Sequence, residues 1–218
     1  MHTIDPLSVG AERDDNLKKA KLENGFYNIV DGGKVSTSKR LSVINPATGK
    51  RLATVPDVDR ALLNKAISDA RNAFSGWGAV PFGRRKAILA NLLNKIDDHA
   101  DELSALLTAE QGGHLAQARW EIDLLTKAFG SVLMQMTPPE KEQDVQTIEQ
   151  ITKRYVPIDG SGVISLWNLS VLLSFGKVLP ALLAGDTVVL RPSPLTPLTV
   201  LRISEYIREL FPPGVFNV

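Results

Sequence analysis

At 218 residues, 44% apolar and 22% charged, the chain has the size and composition of a globular protein with one substantial core or two small ones. A net charge of +1 with no run of Lys or Arg offers no general attraction to nucleic acid or anionic membrane. These residues include no cysteine, so disulfides, thiolate metal sites and cysteine nucleophiles are excluded among them, and no apolar run approaches the ~20 residues of a membrane span.

In chain order, residues 1–24 mix charges without a sustained apolar period and are expected to form a mobile arm. They contain no apolar stretch of the kind a secretory signal needs, so a cytoplasmic location is expected. Phe26–Val30 reads as a strand, Asp31-Gly32-Gly33 as a hairpin turn, and Leu41–Ile44 as its mate or neighbour. Asn45-Pro46-Ala47-Thr48-Gly49 is a second turn before a strand at Leu52–Val55. Asp57 is the expected cap of a helix carrying Leu62, Ala66, Ile67, Ala70 and Phe74 at helical spacing. Ile88, Leu89, Leu92, Leu93 and Ile96 mark a second helix ending near His99. Leu103, Leu106 and Leu107 mark a third, closed by Gly112-Gly113. Leu115, Ala118, Ile122, Leu125, Phe129, Val132, Leu133 and Met136 then define one long amphipathic helix, broken at Pro138-Pro139.

Thr147–Val156 is β-prone and loosely alternating, as expected of an exposed or oligomer-facing strand. Gly162–Leu166, the apolar segment Val171–Leu183 and the β-branched run from Thr187 to Leu190 make a strand–helix–strand unit. Its strands must run parallel, which places the chain in the α/β class. Thr196 and Pro197 open a helix over Leu198–Leu210, and Val215–Val218 starts a third strand. The expected organisation is a partial Rossmann-type sheet with an N-terminal helical layer over 25–136 and 159–218, and an oligomerisation-type β extension over 137–158. Gly160-Ser161-Gly162 precedes a strand and reads as a turn, not a phosphate loop. His2, His99 and His114 lack ligand spacing, so no metal is expected. Trp167, Asn168 and Arg191 fall at the strands' carboxyl ends, where open α/β sheets bind ligands.

Asn45–Gly49, Glu110–Ala118, Trp167-Asn168, Lys177, Pro180–Leu182, Gly185–Ser193 and Pro212–Val218 together resemble segments of the aldehyde dehydrogenase superfamily. Asn45-Pro46-Ala47-Thr48-Gly49 is similar to its Asn-Pro-Ala-Thr-Gly turn. Glu110-Gln111-Gly112-Gly113-His114-Leu115-Ala116-Gln117-Ala118 is similar to its Glu-x-Gly-Lys-Pro-Leu-x-x-Ala segment. Trp167-Asn168, Lys177, Pro180-Ala181-Leu182, Gly185–Ser193 and Pro212–Val218 follow in the family's order and spacing. The likeness corresponds to the first part of a full-length member. It implies that the glycine-rich loop, the general-base glutamate and the catalytic cysteine lie beyond Val218, so that the chain cannot oxidise aldehydes by itself. It also implies that Gly162–Leu166 is an exposed sheet edge, which favours a homodimer or higher homo-oligomer.

By resemblance, Asn168 is an oxyanion-hole donor; the competing reading is a cap of the following helix. Trp167 walls the pocket or is plain core. Lys177, in an apolar helix, is either a desolvated amine able to act as base or form an imine, or a snorkelling side chain. Leu166, Trp167 and Arg191 correspond to vestigial cofactor-binding positions. Arg191 stands for a lysine, Pro194 for a ribose-binding glutamate, and Leu166 and Ser170 for prolines that flank Trp-Asn. NAD(P) binding is expected to be weak at most. The function read from these residues is non-redox chemistry on a small carbonyl or imine compound, or else a pseudoenzyme scaffold binding itself or a full-length relative.

Overall fold

Two β-hairpins and a layer of helices lead into a short parallel sheet in the computed structural model, which describes residues 22, 25–138, 142–144, 151–153 and 155–218. Strand β1 (Asn28–Val30) pairs antiparallel with β2 (Gly33–Val35) across Asp31 and Gly32, which both take positive φ. β3 (Arg40–Ile44) pairs with β4 (Arg51–Pro56), so Leu41–Ile44 is not the mate of the first strand. The mate is β2, whose three residues are too few to show an alternation.

Helix α1 (Arg60–Ala79) is capped by Asp59, whose carboxylate accepts from Leu62 N at 2.8 Å. Asp57, the expected cap, lies two residues too early and pairs with the Lys39 ammonium instead. α2 (Phe82–Asp98) and α3 (Ala100–Gln111) follow, and α3 ends at Gly112 with φ +81°. The expected long helix is continuous but not uniform. α4 (Leu115–Asp123) passes through a π-helical turn, Leu124–Phe129, into α5 (Gly130–Gln135). The wider turn shifts the apolar stripe, leaving Leu125 and Leu133 buried but Val132 and Met136 exposed.

β5 (Glu142–Asp144) and β6 (Ile151–Lys153) form an antiparallel pair. Residues 147–150 and 154 of the expected strand Thr147–Val156 lie outside the described residues, as does the expected arm apart from Leu22. β7 (Gly160–Ile164) begins two residues before the expected strand. Gly160-Ser161-Gly162 is therefore strand and not a turn; Ser161 Oγ donates to Asp186 at 3.0 Å, tying the segment to the start of its neighbour. α6 (Ser170–Ala184), β8 (Thr187–Arg191), α7 (Leu198–Ile207), a tighter turn at Arg208–Leu210 and β9 (Phe216–Asn217) complete the chain.

The sheet order is β7-β8-β9, all parallel, giving the expected α/β class with a helical layer. β1 closes the β9 side: Ile29 N donates to Val218 O at 3.1 Å, and Val218 N to Ile29 O at 2.8 Å. One apolar core runs through all layers, from Phe26 and Val43 through Leu103 to Val163, Phe175 and Phe216. Trp77 is buried in it and donates to Leu182 O at 3.1 Å. Arg85, also buried, donates to the carbonyls of Gly78 and Val80 at the end of α1 and of Leu183 and Ala184 at the end of α6, where helix geometry leaves acceptors unpaired. Among the described residues no helix is long and apolar enough to cross a membrane.

Candidate functional site

β7 and β8 end in register, Ile164 opposite Arg191, and Ser165 N extends the pairing by donating to Arg191 O at 3.1 Å. Beyond this point the chain leaves the sheet. Leu166, Trp167 and Leu195 are 57%, 53% and 62% exposed, and Asn168 and Arg191 are exposed beside them in sequence. The sequence-predicted residues Leu166, Trp167, Asn168 and Arg191 thus share the carboxyl end of the sheet. Among the described residues nothing buries Trp167 as core.

Asp159 O and Ser165 N both bond β8, so alternation turns the backbone groups of Gly160, Gly162 and Ile164 to the opposite side. Among the described residues no strand pairs with that side, and β7 is an edge. Lys177 reaches this edge. It leaves the apolar helix α6, is exposed, and donates from Nζ to Ile164 O at 2.9 Å. The side chain snorkels to the rim of the sheet and covers an otherwise open carbonyl, a common use of lysine on strand edges.

Two glutamates that the sequence reading missed hold the helices behind the site. Glu121 Oε1 accepts from Val171 N at 2.8 Å and Leu172 N at 3.0 Å, capping α6. Glu110 accepts from Leu198 N at 2.6 Å, Thr199 N at 2.9 Å and Thr199 Oγ1 at 2.6 Å, capping α7. The expected Thr196-Pro197 cap is displaced by one position: Pro197 precedes the helix and the capping group comes from α3. Both carboxyls are buried, and burial pushes both above the ordinary range, Glu110 to about 7, against the opposing effect of their donors. The one available signal was a charged residue beside buried stripe positions, since Glu121 adjoins Ile122.

Asn168 is not the cap of α6. Leu169 is the cap residue of α6, Glu121 supplies the acceptor, and the Asn168 side chain bonds to none of the described residues. Its backbone, by contrast, is held. Gln111 Nε2 donates to Trp167 O at 3.0 Å and also to Asn168 O. The result is a fixed loop presenting a free amide to solvent beside apolar side chains.

A dinucleotide fits this end only in part. The leading amides of α6 and α7, where helix dipoles would favour a pyrophosphate, are engaged by carboxylates. Arg191 remains, its guanidinium unpaired among the described residues, as a group suited to a ribose hydroxyl or phosphate. No cluster of three or more metal-ligating side chains occurs among the described residues.

Residues 34–218 match the sequence model described as "Aldehyde dehydrogenase family". The chain is similar to the NADP(+) succinate-semialdehyde dehydrogenase of Escherichia coli, 34% identical over 213 residues, covering 94% of this chain and 42% of that one. It is 35% identical over 210 residues to phenylacetaldehyde dehydrogenase of Pseudomonas fluorescens, covering 88% and 41%. Among solved structures, betaine aldehyde dehydrogenase of Staphylococcus aureus with NAD+ superposes with a TM-score of 0.86 at 24% identity, over 94% of this chain and 42% of that one. An aldehyde dehydrogenase mutant of Pseudomonas syringae with NAD+ and octanal gives 0.80 at 27% identity, over 100% and 42%. The chain therefore spans about two fifths of the length of the relatives it matches.

Proposed function

The chain belongs to the aldehyde dehydrogenase family, and on that premise we propose that it binds a small carbonyl or imine compound at the Asn168 loop and acts on it without redox chemistry. The observation that carries this reading is the Asn168 amide, exposed and free of partners among the described residues, on a loop whose backbone Gln111 holds. Such a donor stabilises negative charge developing on a carbonyl oxygen, by about 3–4 kcal/mol in a water-poor site. A polarised carbonyl is open to enolisation or to addition of an internal nucleophile, so isomerisation, condensation or cyclisation fits the residues present. Leu166, Trp167 and Leu195 offer apolar surface to the rest of the substrate.

Oxidation through a thiolate is not chemistry these residues support, because none of the 218 is cysteine. NAD(P) binding is weak at most in this reading, since the pyrophosphate has no free helix terminus at α6 or α7 and no step is assigned to a cofactor. Lys177 is not given the nucleophile's part: its ammonium lies on a backbone carbonyl at the sheet rim.

The test is a product screen by NMR. The chain is incubated with small aldehydes, ketones and cyclic imines, with and without NAD(P)+, while absorbance of the reduced cofactor is followed. Conversion without cofactor reduction is expected, slowed about 100-fold or more in Asn168→Ala. Accumulating reduced cofactor, or full activity in Asn168→Ala, would overturn the assignment.

A second reading, a non-catalytic scaffold that associates with a second copy, is favoured by the open β7 edge and the exposed apolar residues next to it. A chain that converts no compound and whose solution mass doubles with concentration would decide for it.

A further inference from the structure

The end of α3 reaches three separate parts of the fold with three successive residues. Glu110 runs into the start of α7. Gln111 holds the carbonyls of Trp167 and Asn168. Gly112, at φ +81°, lies against the Asn45-Pro46 turn so closely that a Cβ there would stand 2.5 Å from Pro46 Cγ. This corner therefore has little freedom to shift: the buried Glu110 fixes its depth and the Pro46 contact fixes its direction. Gln111 is the residue between, and it is the one whose side chain points at the candidate site. On the far side of the same loop, Glu121 holds the N–H groups of Val171 and Leu172. Asn168 thus sits between two anchors, both supplied by the helical layer and neither by the sheet.

We propose that Gln111 is the positioning residue of the Asn168 loop, using its amide to hold two consecutive backbone carbonyls so that the Asn168 side chain faces an incoming carbonyl oxygen. The inference deepens the carbonyl-binding assignment and rests on it for its functional half. The chemistry requires a neutral, two-proton donor of this length. One Nε2 serves both carbonyl oxygens, whereas the isosteric carboxylate of glutamate has no proton to give and would repel them. A bond to each carbonyl also leaves the Asn168 side-chain amide uncommitted among the described residues. The glycine that follows belongs to the same geometry: a residue with a side chain after Gln111 would keep the turn at Pro46 from closing and aiming α3 at the loop.

Gln111→Glu and Gln111→Ala test this, with two readouts. The first is hydrogen exchange of the segment 165–170 by mass spectrometry, which needs no ligand. The second is the affinity for a small aldehyde, measured with a carbonyl-13C label. At about pH 8 both variants are expected to exchange about fivefold faster in 165–170 with α7 unchanged, and to bind the aldehyde about fivefold more weakly. Near about pH 4.5 about half of the carboxyls introduced by Gln111→Glu carry a proton and donate to one of the two carbonyls, so that variant recovers part of the way toward wild type while Gln111→Ala does not. A merely space-filling role for Gln111 would give no such recovery. Unchanged exchange in both variants would overturn the positioning role outright. Faster exchange with wild-type affinity would overturn its link to Asn168. Faster exchange in a protein whose wild type binds no aldehyde would sustain the loop clamp and refute the carbonyl assignment instead.

Discussion

Stability is expected to rise as pH falls from about 8 to about 4.5, by about 3 kcal/mol, an unusual direction that Glu110 imposes. Its carboxyl is fully buried between α3 and α7, and burial raises it to about 7 although Leu198 N, Thr199 N and Thr199 Oγ1 all donate to it. The nearby Glu121 carboxylate adds to the rise. In the unfolded chain the same carboxyl ionises near 4.5. Between these values the folded protein binds more protons than the unfolded one, so its stability falls with rising pH. The contribution is fully present below about 4.5 and lost through about 7; a difference of about 2.5 units at about 1.36 kcal/mol each gives the stated size. Glu121, raised by the same cause, adds to the same slope. Asp123 has the opposite sign, held below the ordinary carboxylate range by Lys127 and Arg119, and acts only in more acid solution. For a chain of this length the effect is about 6–12 °C in Tm. Thermal unfolding at several pH values checks it. Glu110→Gln should flatten most of the slope, and a wild type equally stable at about pH 5 and 8 would contradict the account.

Gly214→Ala is expected to cost at least about 3 kcal/mol, a large part of the margin of an ordinary domain. Gly214 has φ +79°, and a Cβ there would lie 2.5 Å from Asp69 O, 3.1 Å from Asp69 C and 3.0 Å from Ala73 Cβ. Those atoms belong largely to the backbone of α1, which cannot rotate aside. Retreat by the loop is blocked as well. Gly214 O accepts from Asn217 Nδ2 at 2.8 Å, and the adjacent Val215 O accepts from Val188 N at 2.8 Å, so displacement would unseat β9. Gly49→Ala is the control: its φ is +66° but nothing lies within 4 Å of the added atom. It carries only the backbone cost of about 1 kcal/mol. Denaturant unfolding of both proteins separates the terms, and equal losses would show that the α1 contact does not matter.

The parts of this fold that can be read along the chain are those whose cause is local. The run from β7 to β9 announces itself through apolar strands, an all-apolar helix α6 and proline-glycine turns, so order and direction follow. The placement of Asn168 and Arg191 at the carboxyl end of the sheet is legible because one follows a strand and the other ends one. What escaped depends on distant neighbours. Glu110 meets Leu198 N 88 residues away, Glu121 meets Val171 N 50 residues away, and Gln111 meets Trp167 O 56 residues away. A glutamate near a helix end gives no sign of whether it faces water or another helix. Lys177 illustrates the same limit: its spacing marks it as unusual, but only the open edge of β7 shows where the ammonium goes. The π-helical turn at Leu124–Phe129 escaped for a different reason, because steps of three and four describe it as well as they describe a regular helix.

The central claim is that Asn168 receives a carbonyl oxygen, and a titration of the chain with a 13C-carbonyl-labelled aldehyde, read by NMR in wild type and Asn168→Ala, tests it most directly. The account predicts a saturable shift of the carbonyl resonance in the wild type, with affinity about tenfold weaker in Asn168→Ala, the loss of about one charge-receiving hydrogen bond. Equal affinities in the two proteins, or no saturable shift in either, would contradict it.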